Sequence, residues 1–214
     1  MKIYGSSLSP FVRKVLVAVA ELGIPVENVL TPPASPDPEF RETSPFGKIP
    51  GMRDGDFVLS DSSAILAYLD GITPEAGLFP RDPKNRARAV WFDEFGDTIL
   101  FGCGQKLFFN RIVGPKFQNI PGNAELADKA EREELPPILD YLEGVIPPSG
   151  FLVEDRLTIA DVAVASPMVN LLHLGIAIDP ARHPNIVRFT DHMFARPSLS
   201  ALIEKETAFL ARFS

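Results

Sequence analysis

One break in pattern constrains this chain more than any other feature. Up to about residue 70, strand-like and helix-like segments alternate; beyond the Gly- and Pro-rich stretch GITPEAGLFPRDPKN, residues 71–85, every strong pattern is helical. Before the break, KIY is a short apolar strand ending at Gly5. In SPFVRKVLVAVAELG, residues Phe11, Val15, Ala18, Val19 and Leu22 recur at helical spacing, with Pro10 suited to the first helical position and Gly23 to the position just past the end. Val26 to Leu30 reads as a second strand, and the four prolines of TPPASPDPEF predict an irregular surface loop. Asp54-Gly55 is a hairpin signal between GMR and FVLS, and Asp61 opens a helix with Ala64, Ile65, Tyr68 and Leu69 on one side. This β-α-β, loop, β-β-α order makes an α/β unit with a small mixed sheet. After the break, five helical segments and no strand of comparable quality make an all-α unit.

The remaining bulk properties exclude more than they assign. The single cysteine, Cys103, rules out an intrachain disulfide, which fits a reducing compartment; mid-helix, it reads as a buried free thiol. The opening MKIYGSSLSP lacks the apolar core of a signal peptide, and no stretch approaches the ~20 apolar residues of a membrane span. The expectation is a soluble cytoplasmic protein. A net charge of −7 argues against general affinity for nucleic acid or acidic lipid. His173, His183 and His192 are scattered, so no metal site is expected.

Four short motifs carry chemistry or mimic it. Ser9-Pro10 is a good helix cap, serine being a preferred N-cap and proline a preferred first residue. A hydroxyl also has a proton to donate, and a helix N-terminus favours a nearby anion, so capping and chemistry are compatible. In KIPGM, Pro50 opens a strand and is an edge residue or a cis turn; a cis bond would leave the Ile49 backbone free to pair with an extended peptide ligand. In SDSSAI, Asp61 or Ser60 is a generic cap, but Asp61 could also face an ammonium while the Ser62 hydroxyl and amide hold a carboxylate. In LTIAD, Thr158 and Asp161 have capping-box spacing and read as structural.

The order S-P-x-x-R-K-V, G-K-I-P, acidic-Ser-x-A-I and F-L-V-x-D-x-L-T-I-A-D over nearly the whole chain resembles the cytosolic glutathione transferase superfamily, in its serine-type, bacterial-like form. The resemblance implies a thioredoxin-like N-terminal domain (1–74), a linker (75–85), an all-helical domain (86–214) contributing the electrophile site, and a homodimer. It also implies roles. Ser9 falls where serine-type members place the hydroxyl that donates to the glutathione thiolate, and Tyr4, near the end of the first strand, is the rival. Pro50 falls on the family's cis-proline, with Ile49 pairing with the cysteinyl part of glutathione and Lys48 near its glycine carboxylate. Asp61 and Ser62 would hold the γ-glutamyl end, and Asp161 is the helix-capping aspartate. Two departures stand out: Asp61 replaces the commoner Glu, and no cysteine lies near residue 9.

With no metal and glutathione as co-substrate, the implied reaction is attack of a helix-stabilised thiolate on a small hydrophobic electrophile, a detoxification-type conjugation. Candidate lining residues for the electrophile are Phe11, Phe101, Phe108 and Arg111, although Arg111 also reads as a solvated arginine. The alternative is a non-catalytic module of the same fold that binds glutathione or an apolar ligand.

Overall fold

A computed structural model describes residues 1–74 and 77–213. Four short strands, β1 (Lys2–Tyr4), β2 (Glu27–Val29), β3 (Gly51–Asp54) and β4 (Phe57–Ser60), form one sheet in the order β2-β1-β3-β4. β1 and β2 run parallel, joined through helix α1 (Pro10–Glu21), and the other two pairings are antiparallel. Ile3 and Met52 pack with Val12 and Val15 of α1 and with Ile65 and Leu69 of α3 (Ser62–Ile72) on one face. Side chains alternate along a strand, so Tyr4 turns to the other face, where its ring meets Phe40 of α2 (Pro38–Thr43).

Two local expectations are corrected. The proline-rich loop is not irregular throughout, because Asp37 accepts the Phe40 N–H at 3.0 Å and Pro38 starts α2. Proline breaks a helix interior but suits its first residue, so the last proline of the run is a start signal. The hairpin turn is Gly55-Asp56, one residue beyond the motif, because Asp54 still pairs with Phe57 in the ladder.

The second half is helical among the described residues: α4 (Pro83–Glu94), α5 (Phe101–Phe108), α6 (Ala124–Lys129), α7 (Leu135–Val145), α8 (Ile159–His173), α9 (Pro184–Phe194) and α10 (Pro197–Leu210). Asp82 caps α4, accepting the amides of Lys84 and Asn85, so the helical run begins within the stretch read as linker. Glu75 and Ala76 of that stretch lie outside the described residues. π-Helical turns join α4 to α5 (Phe95–Leu100), extend α5 (Phe109–Gln118) and join α6 to α7 (Ala130–Glu134). α8 is the axle: Ile159 through Leu171 are all buried, which accounts for its apolar surface on every side. A Cβ on Gly96 would sit 2.5 Å from the Ala163 carbonyl oxygen, so glycine permits the first π turn to lie against α8. Cys103 is a buried free thiol, and burial pushes its pKa up to about 11.

Two buried cations on α1 dock the halves. The Arg13 guanidinium, fully buried, pairs with Glu206 of α10 at 2.7 Å and donates to the Ser166 carbonyl at 2.6 Å and Asn170 Oδ1 at 2.8 Å. The Lys14 ammonium meets Asp93 at 2.7 Å and Asp97 at 2.6 Å. Burial raises the Glu206 carboxyl, but His173 at 2.8 Å and Arg13 outweigh it and hold the group below its usual range. At the start of α8, the Asp161 carboxylate accepts from Leu152 N–H (2.7 Å), Thr158 N–H (2.8 Å) and the Thr158 hydroxyl (3.0 Å).

Candidate functional site

Strand register assembles the site. Tyr4 pairs with Gly51 and Gly51 with Ser60, so these three residues line up across one end of the sheet. The chain leaves β1 there toward Ser9, enters β3 there through Ile49-Pro50, and leaves β4 there into Asp61 and Ser62. Gly5 keeps this end compact. It has φ +142°, and a Cβ on it would lie 2.5 Å from a Val12 methyl and 3.2 Å from the Ile49 Cβ.

Ser9 is the N-cap residue of α1, its carbonyl accepting the Arg13 N–H at 2.9 Å. Its hydroxyl does not cap the helix and has no hydrogen-bond partner among the described residues. A half-buried hydroxyl thus stands at the positive end of a twelve-residue helix. Tyr4 faces α2 instead; its buried hydroxyl makes no well-aligned hydrogen bond among the described residues, and burial, with the Glu39 carboxylate nearby, raises its pKa.

The Ile49-Pro50 bond is cis, and neither the N–H nor the carbonyl of Ile49 is engaged in a hydrogen bond among the described residues. Beside it, Lys48 is exposed and carries no ion pair among the described residues. Asp61 is exposed, accepts the Ala64 N–H at 3.0 Å as cap of α3, and has φ +80°. That backbone region is sparsely populated, and such residues cluster at ligand clamps. Ser62 is buried at the first position of α3, its hydroxyl 3.5 Å from Asp97 Oδ2. Ser63 donates to the same oxygen at 3.3 Å and lies 3.2 Å from Lys14 Nζ. Burial raises the Asp97 carboxyl, with Lys14 opposing it.

The sequence reading missed Lys14, Asp93 and Asp97, which support the start of α3 from behind. The available signal was that α1 has too little polar face for two cations: Phe11, Val12, Val15, Leu16, Val17 and Val19 leave Arg13 and Lys14 nowhere to go but inward.

A cavity of about 360 Å³ opens beside the β1–α1 loop, between Ser6–Leu8, Leu30 beyond β2, and Lys205, Phe209 and Arg212 on and just beyond α10. None of Phe11, Phe101, Phe108 and Arg111 lines it. Phe11 and Phe101 pack edge to face at 4.5 Å, and Phe108 is buried with Ile112 and Leu210. Arg111 is paired with Asp128 and Glu131. Among the described residues no group of three or more His, Cys, Asp or Glu side chains could hold a metal ion, and no helix is long and apolar enough to cross a membrane.

A thioredoxin-like sheet thus presents a cis-proline, two helix N-termini and a half-buried hydroxyl at one end and is docked on a helical domain. Residues 3–77 match the family description "Glutathione S-transferase, N-terminal domain", and residues 109–206 match "Glutathione S-transferase, C-terminal domain". The chain is 32% identical to glutathione S-transferase 3 of Zea mays, over 75% of this chain and 73% of that protein. It is 29% identical to a glutathione S-transferase of Hyoscyamus muticus, over 95% of this chain and 98% of that protein. The crystal structure of glutathione transferase F2 from Populus trichocarpa superposes with a TM-score of 0.80 at 26% identity, over 97% of this chain and 99% of that one. The chain belongs to the glutathione S-transferase family.

Proposed function

We propose that this protein binds glutathione along the sheet end and activates its thiol for attack on a small electrophile held against the helical domain. The observation that carries the reading is the Ser9 hydroxyl, uncommitted at the N-terminus of α1. A free thiol has a pKa near ~8.5 and is mostly protonated at neutral pH. A hydroxyl donor and a helix N-terminus both favour the anion; a drop of about two pKa units corresponds to roughly 2.7 kcal/mol. Ser9 is preferred to Tyr4 because Tyr4 lies against Phe40 on the α2 face. In this reading the free Ile49 backbone pairs with the cysteinyl part of glutathione, Lys48 attracts its glycine carboxylate, and Asp61 and Ser62 take the γ-glutamyl end.

The same reading takes residues 1–74 as the glutathione-binding domain, 75–85 as a linker and 86–214 as the helical domain. It takes the protein as cytoplasmic and the assembly as a homodimer, the latter supported by the exposed apolar Phe57, Trp91 and Ile99. The test is retention on immobilised glutathione followed by conjugation with an activated aryl halide. Retention with turnover is the expected result. Retention without turnover on a panel of electrophiles points to a binding module, and failure of both overturns the reading.

A further inference from the structure

The cavity beside the β1–α1 loop has a charge pattern that its apolar walls do not explain. Glu206 is the acid on its wall, but this carboxylate is 2% exposed and committed inward to Arg13 and His173. Lys205 and Arg212 line the same cavity and carry no ion pair among the described residues. They flank Phe209 at helical spacing, so all three lie along one stripe. By contrast, Arg13, Lys14, Arg111 and Arg196 all hold carboxylates. In a chain of net charge −7, two uncommitted cations beside Leu8, Leu30 and Phe209 make a local field of opposite sign to the whole.

We propose that this cavity receives the electrophile and that the preferred electrophile is an organic anion, its apolar reactive body against Leu8, Leu30 and Phe209 and a carboxylate at Lys205 and Arg212. The inference rests on the glutathione-transfer reading and names the substrate class of that site. With a chloroarene carboxylate, the glutathione sulfur attacks the ring carbon bearing chlorine. A C–S bond forms, the C–Cl bond breaks, and chloride leaves with the bonding pair. The thiol proton has gone to solvent, and the carboxylate is unchanged.

The experiment compares KM for chloronitrobenzoate with KM for its primary amide, which is neutral and of similar size. The wild-type protein should favour the anion by about fivefold, the scale of two solvent-accessible ion pairs, and about 0.5 M salt should shrink the preference. Lys205→Gln/Arg212→Gln should abolish it, and Lys205→Glu/Arg212→Glu should reverse it. An identical KM ratio in the wild type and both double variants would overturn the proposal. If neither chloroarene reacts, transfer is what has failed, and the cavity is read by fluorescence titration of anilinonaphthalene sulfonate. Binding weakened about fivefold in Lys205→Gln/Arg212→Gln supports the anion site; equal binding in wild type and variant overturns it.

Discussion

Lys14 Nζ lies 2.6 Å from Asp97 Oδ2, and that same oxygen receives the hydroxyl of Ser63. One ammonium on α1 therefore joins the start of α3 to the π turn of the helical domain. Lys14→Met leaves Asp93 and Asp97 without their cation in a buried site, a change that costs about 3–5 kcal/mol. Urea unfolding should show that loss. The glutathione KM of the surviving fold should also rise, because the support under Ser62 is gone. A variant of wild-type stability would contradict the geometry.

Asp61 has two separable duties, capping α3 and presenting charge. Asp61→Asn retains an acceptor for the Ala64 N–H and should unfold like wild type, whereas Asp61→Ala should lose about 1 kcal/mol. Both should raise glutathione KM more than they lower kcat, since a contact remote from sulfur is mostly uniform binding. Calorimetry giving wild-type glutathione affinity for both would remove Asp61 from the site.

Burial pushes the Asp161 carboxyl up to about 6, against three hydrogen-bond donors that favour the anion. The unfolded value is near ~3.9, so between the two the folded state holds more protons than the unfolded one. The stability Asp161 contributes is then full below the unfolded value and falls as pH rises through about 6. Asp161→Ala should accordingly cost more at about pH 5 than at about pH 7.5, by urea titration at each. Thr158→Ala should cost about 1 kcal/mol, with the kinetic constants of both surviving folds intact. An Asp161→Ala protein that is stable but no longer binds glutathione would refute a purely structural role.

Cys103 is 2% exposed with its pKa near 11, so the native protein should react with an aromatic disulfide reagent only as fast as it unfolds. Rapid labelling in native buffer would place the thiol elsewhere.

Ser9→Ala removes a donor whose partner is fully charged only as the thiolate. Its loss should fall on kcat, on the order of a hundredfold, more than on KM. A bond to the anion lowers the thiol pKa, so removing it must raise that pKa. Titrating the ultraviolet thiolate band of the glutathione complex in wild type, Ser9→Ala and Tyr4→Phe separates the candidates. A shift confined to Tyr4→Phe moves the role to Tyr4; no shift in either leaves the helix field as the activator.

Local chemistry made the element starts readable. Pro10 is the first residue of α1, and the Asp61 carboxylate caps α3, because prolines and capping side chains act on the residues beside them. α2 escaped because proline has opposite meanings at the first position and in the interior of a helix. The partners of Arg13 and Lys14 escaped for another reason: they lie 193 and 79 residues away, and nothing local announces which acid a buried cation will meet. The walls of the cavity were out of reach too. Phe101, Phe108 and Arg111 share a helical stretch, but which side of it faces a void depends on how α10 lies, not on their own spacing.

The Arg13–Glu206 pair bears on whether this protein can be taken apart. A fragment cut after the first domain would carry two cations on α1 whose acids, Glu206, Asp93 and Asp97, were all left on the other piece. A chimera that grafts this sheet onto a foreign helical bundle inherits the charges without the acids that balance them, and has to import Glu206, Asp93 and Asp97 or lose Arg13 and Lys14 before it can fold.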